Sequence, residues 1–154
     1  MKPASLPSLL TLLLFIGLAF GGGTLMGISF SAGEWYAGLT KPWFSPPNWL
    51  FGPAWTLLYI LIGTAGWRVW QRGLARCLLL WIIQMALNFS WSPVFFGAHL
   101  TGLGLVVLIA MLASIIAFIF ETWTKDRTAA LLFMPYAAWV TFAGLLNGAI
   151  WWLN

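Results

Sequence analysis

Residues 102–120 read GLGLVVLIAMLASIIAFIF, with Ser114 almost the only polar side chain among them. Roughly 20 consecutive apolar residues in a helix match the hydrocarbon thickness of a bilayer. Working outward for the same feature gives four more runs, near residues 6–28, 47–67, 76–94 and 129–152. The predicted fold class is therefore an all-α integral membrane protein, a five-helix transmembrane bundle forming a single domain over residues 1–154.

Composition agrees with lipid as the main solvent. The chain is 62% hydrophobic and 6% charged, against about 25% charged in an average soluble domain. So few charged side chains cannot cover a water-facing exterior. The +4 net charge falls in short connections between apolar runs and forms no basic patch, so nucleic acid is not an expected partner. The run at 6–28 carries no charge, and it outlasts the apolar core of a signal peptide, about 7–15 residues. It reads as a span, with Ser29-Phe30-Ser31 as the alternative processing site.

With five spans, Lys2, Arg68, Arg72, Arg76, Lys125 and Arg127 share one side, and Lys41 stands alone on the other. The positive-inside rule then predicts a cytoplasmic N-terminus, with the C-terminus and the first long loop outside. Trp67 and Trp70 become inner interfacial anchors, and Trp43, Phe44 and Trp49 outer ones. The long connection at 29–46 ends in Lys41-Pro42-Trp43-Phe44-Ser45-Pro46, a stretch whose prolines forbid a helix interior. It reads as a stiff aromatic loop folded over the bundle as a lid.

Polar groups inside a span mark the face turned away from lipid. Trp81, Gln84, Asn88 and Trp91 fall at spacings of 3, 4 and 3, one stripe of the third span. Tyr136, Trp139, Ala143 and Asn147 repeat the pattern on the fifth, and Trp55, Tyr59 and Gly63 on the second. Spacing alone leaves two readings open. One is a pocket near the outer side walled by the second, third and fifth spans, with Trp55, Asn88, Trp91, Tyr136 and Trp139 offering ring faces to a flat conjugated ligand. The other is simple packing, with the amides bonding across helices. Gly17-x-x-x-Gly21 and Gly23-x-x-x-Gly27 allow close approach by another helix, within the monomer or across a dimer.

Ordinary acid-base or metal catalysis has little to work with. Glu34 lies outside and Glu121 and Asp126 inside, a membrane thickness apart. His99 stands alone in a short outer loop, with haem ligation as its functional alternative, and Cys77 reads as a packing residue. No catalytic residue, metal site or obligatory cofactor is expected.

Four motifs carry a resemblance. They are Trp35-Tyr36-Ala37-Gly38-Leu39-Thr40-Lys41-Pro42; Pro46-Pro47-x-Trp49 with Gly52-Pro53-x-Trp55-x-x-x-Tyr59; Ala86-Leu87-Asn88-Phe89-x-Trp91-x-Pro93-x-Phe95-Phe96-Gly97; and Pro135-Tyr136-x-x-Trp139-x-x-x-Ala143-x-x-x-Asn147. In this order they resemble the TspO/translocator-protein family, also called tryptophan-rich sensory proteins or peripheral benzodiazepine receptors. The resemblance implies a homodimeric five-helix bundle with a cavity beneath the first outer loop. Its ligands would be protoporphyrin IX, haem and other flat apolar molecules, lined by Trp35, Tyr36, Trp55, Asn88, Trp91, Trp139, Ala143 and Leu146. Lys41 is the plausible partner for a propionate. The implied role is tetrapyrrole sensing, sequestration or transport, with light- and oxygen-dependent porphyrin breakdown or transport of small hydrophobic molecules as alternatives. No basic residue follows Arg127, so the sterol motif proposed for the last helix of animal members is missing. The short terminal segments resemble bacterial members, which implies a bacterial cell membrane.

Overall fold

A computed structural model describes residues 6–154, with side chains from Ser8 onward. Lys2, part of the charge bias above, lies outside the described residues. The elements in chain order are α1 (Leu6–Ser29), a short α2 (Glu34–Gly38), α3 (Phe51–Gln71) entered through a 3-10 turn at Asn48–Leu50, α4 (Ala75–Ser92), α5 (Thr101–Trp123) and α6 (Arg127–Leu153). A wide π-type turn, Pro93–Gly97, extends α4. Five of these helices are long and apolar enough to cross a bilayer, and no strand occurs among the described residues.

The spans pack as a ring in which α1 lies beside α3, α3 beside α6, α6 beside α5, and α5 beside α4, with a lighter α4–α1 contact closing it. The closest approach is made by Gly63 of α3, where an added Cβ would run into the backbone of Ile16 on α1. Outward-facing Leu14, Leu25, Ile109 and Phe120 remain exposed, as lipid-facing side chains should.

Local chemistry sets the turns. After α3 the chain reverses over residues 72–74, because Gly73 takes a left-handed φ of 64°. Its N–H donates to the Trp70 carbonyl and that of Leu74 to the Val69 carbonyl, each at 3.0 Å, a Schellman closure. Pro53 sits in the first turn of α3, where no amide donor is needed. Pro93 brings no N–H to the end of α4, and the chain widens so that Ala98 donates to the Pro93 carbonyl at 2.8 Å.

The second span, expected at 47–67, runs over Asn48–Gln71, with its α-helical part from Phe51. A hydropathy scan stops at the first charge, whereas the helix runs on through Arg68 because that guanidinium has a buried partner. Trp67, read as an interfacial anchor, ties α3 to α1 through an indole N–H donated to Thr11 Oγ1 at 3.3 Å. The stiff loop contains a helix, α2, that its sequence did not announce.

Candidate functional site

At one end of the bundle the charges close on themselves. The Asp126 carboxylate, with only 1% of its side chain exposed, accepts from Arg68 Nη2 at 2.9 Å and from Arg72 Nε at 3.0 Å. It also accepts from the Ala129 N–H at 3.2 Å, capping α6. Glu121 is shared by Lys125 and Arg76 at 3.0 and 3.4 Å. Behind this end, Phe118 and Phe133 stack at 4.0 Å, and the Trp81 ring fills the space above Gly66.

Mid-bundle, the polar stripes meet. Tyr59 donates its hydroxyl to Asn88 Oδ1 at 3.1 Å, Asn88 Nδ2 donates to the Tyr136 oxygen at 2.9 Å, and Tyr136 donates to Gln84 Oε1 at 2.9 Å. This chain joins α3, α4 and α6 in a region where an unpaired amide is costly. Further out, Trp91 donates to Asn147 Oδ1 at 3.2 Å, and Asn147 Nδ2 donates to the Thr101 carbonyl at 2.7 Å.

Above the chain the bundle is hollow. A cavity of about 620 Å³ is walled by Trp55 and Tyr59 of α3, Asn88 and Trp91 of α4, and Trp139 and Ala143 of α6. Trp55 packs its ring near those of Tyr59 (5.3 Å, stacked) and Trp139 (6.4 Å, edge-on). The loop forms the roof. Tyr36 of α2 sits buried against Phe95 and Phe96, and burial raises its phenol above the ordinary value. The loop is fastened by Asn154, whose side chain both accepts from the Thr40 N–H (2.9 Å) and donates to the Thr40 carbonyl (3.0 Å).

Seven of the nine expected site residues line this cavity: Tyr36, Trp55, Asn88, Trp91, Trp139, Ala143 and Leu146. Two stand behind the wall. Tyr136, fully buried, is consumed by the hydrogen-bonded chain. Trp35 lies flat on His99 with ring centroids 4.1 Å apart, above the cavity. That stack also takes His99 out of the lining, so axial ligation from it has no geometric support. Lys41, expected to meet a propionate, instead donates to the carbonyl of Tyr36 at 2.8 Å and lies over the Tyr36 ring. A cation at the C-terminal end of a short helix finds the free carbonyls there first.

Sequence reasoning missed the fourth wall. Phe20, Gly23, Thr24, Gly27 and Ile28 of α1 line the cavity, with Leu108 and Met111 of α5 at its base. The glycine spacing on α1 was the available signal. Gly23 has no side chain because the Tyr59 ring occupies the place of its Cβ.

Fold and cavity together define a polytopic helical membrane protein with an aromatic chamber in one half of its bundle. The TspO/MBR family model matches residues 11–153. The chain is similar to the tryptophan-rich protein TspO of Archaeoglobus fulgidus, 42% identical over 147 residues and covering 94% of each chain. It is 38% identical over 130 residues to the tryptophan-rich sensory protein of Cereibacter sphaeroides, covering 84% of this chain and 82% of that one. It is 37% identical over 138 residues to the translocator protein of Homo sapiens, with the same two coverages of 84% and 82%. The chain belongs to the TspO/MBR family.

Proposed function

We propose that this protein is a membrane receptor for porphyrins, protoporphyrin IX and haem, and for similar flat apolar ligands, acting in tetrapyrrole sensing, sequestration or transport. The observation that carries this reading is the cavity itself, about 620 Å³ between indole and phenol rings, within the roughly 300–1,000 Å³ usual for small-molecule sites. Trp55, Trp91 and Trp139 supply ring faces, each good aromatic contact adding about 0.5–1.5 kcal/mol beyond burial. With Lys41 engaged in the roof, propionates gain no cation from the wall and extend towards the bundle's outer rim.

The charge bias supports a cytoplasmic placement for the Asp126 end and an outer placement for the roofed end, and a bacterial cell membrane as the host belongs to the same proposal. The homodimer belongs to the same reading. Gly17 and Gly21, with nothing within 4 Å of an added Cβ, leave a flat strip of α1 free for helix contact.

Titration of tryptophan fluorescence with protoporphyrin IX and with haem, in detergent or nanodiscs, tests the reading. Saturable quenching by the wild type, weakened about tenfold or more in a Trp55→Ala/Trp139→Ala double variant, is the expected result. Identical curves for the two proteins would remove it. Dark, anaerobic controls separate binding from breakdown, since porphyrin photochemistry needs light and oxygen and no acid-base cluster from the protein.

A further inference from the structure

The cavity has two possible entrances, and the side chains treat them differently. Towards water the roof is fastened: Asn154 holds Thr40 by two hydrogen bonds, Lys41 ties down the carbonyl end of α2, and Trp35 lies on His99. Towards lipid, between α1 and α3, the wall thins. Thr24, Gly27 and Ile28 of α1 and Gly52 and Thr56 of α3 all line the cavity and are all exposed.

Glycines record how the gap opens along α1. At Gly63 a Cβ would strike the backbone of Ile16, and at Gly23 it would strike the Tyr59 ring, so the two helices are in close contact there. At Gly27 and Gly52 an added Cβ meets nothing within 4 Å. Towards the roofed end the lining contributed by the two helices thus includes two residues with no side chain to fill the space between them. Lipid tails are as apolar as leucine, so no hydrophobic force draws such a gap shut. Both helices satisfy their backbone internally, and Thr56 donates its hydroxyl to the Gly52 carbonyl at 2.9 Å, so the slot exposes little unmet polarity to hydrocarbon.

We propose that this slot is the ligand entrance, with Gly27 and Gly52 as its gate-setting residues, so that the cavity draws flat apolar molecules already dissolved in the bilayer and not those free in water. The inference rests on the binding function proposed above. It makes the slot a filter: a ligand must partition into hydrocarbon and present an edge thin enough to pass between two helices.

The test is kinetic. Wild-type protein in nanodiscs is mixed with vesicles preloaded with protoporphyrin IX, and the rate of tryptophan quenching is followed. Gly27→Phe/Gly52→Phe should slow both loading and release, each by about tenfold, and equilibrium titration reads separately any change in affinity from the altered lining. Leu25→Phe, at the same level of α1 but outside the lining, should load at the wild-type rate, as should Asn154→Ala, which loosens the roof. Should the double variant fail to fold, Thr56→Phe narrows the same slot from the α3 side and is expected to slow loading. Slot variants that load at the wild-type rate, or an Asn154→Ala variant that loads faster, would overturn the slot while leaving the binding function standing. A wild-type protein that shows no quenching at any ligand concentration would sink the binding function and the slot with it.

Discussion

The two ends of this bundle use the same helices for opposite purposes. At the Asp126 end side chains tie the helices together: a carboxylate is held by two arginines and a helix amide, rings stack at 4.0 Å, and a tryptophan covers Gly66. At the roofed end the same spans stand apart around about 620 Å³ of space. Between them, Tyr59, Asn88, Tyr136 and Gln84 form the boundary. A membrane bundle gains nothing from hydrophobic collapse against lipid. The difference between the ends therefore teaches that a hollow persists where directional bonds elsewhere already fix the helix positions.

The sharpest way to break this comparison is to release the closed end. Asp126→Ala leaves two partly exposed guanidinium groups without their carboxylate and uncaps α6, and loss of the cap and the ion pairs together costs about 2 kcal/mol. The thermal midpoint in detergent should fall strongly, and Asp126→Asn, which keeps a cap acceptor, should fall less. Porphyrin affinity of the folded fraction should stay near that of the wild type, because none of these groups lines the cavity.

A smaller effect is expected at the boundary. Asn88→Leu removes two interhelical hydrogen bonds at about 0.6 kcal/mol each in membrane bundles. Stability should drop by about 1 kcal/mol, and because Asn88 faces the cavity, ligand titration should change as well. A stability loss with an unaltered titration would separate the polar chain from the site. The smallest effect belongs to Asn147→Ala, which frees the Trp91 indole and the Thr101 carbonyl near the outer end. A reduced thermal midpoint, less than that of Asn88→Leu, is expected with the roof intact.

Much of the fold was legible in sequence because a hydrocarbon solvent imposes length and apolarity on every span. The boundaries were least legible where a charge continues a helix, as Arg68 does, since its partner Asp126 lies 58 positions away. The site was legible where period and chemistry coincide: Trp55, Asn88, Trp91, Trp139 and Ala143 share stripes and do line one hollow. Stripe position could not separate Tyr136 from Trp139, because both face inwards and only depth decides which one meets the cavity. Nor could it place Trp35 and Lys41, whose loop is shaped by contacts with His99 and with the carbonyls of α2. The α1 wall escaped for the opposite reason. Its contribution is the absence of side chains at Gly23 and Gly27, and periodicity methods weigh what is present.

Binding requires the vacant space between α1, α3, α4 and α6, and Ala143→Trp occupies that space without touching the ion pairs or the polar chain. Isothermal or fluorescence titration of this variant with protoporphyrin IX is the most direct measurement. A thermal midpoint near that of the wild type together with loss of saturable binding is predicted. Wild-type affinity in a folded Ala143→Trp protein would contradict the claim that the ligand lies in this cavity.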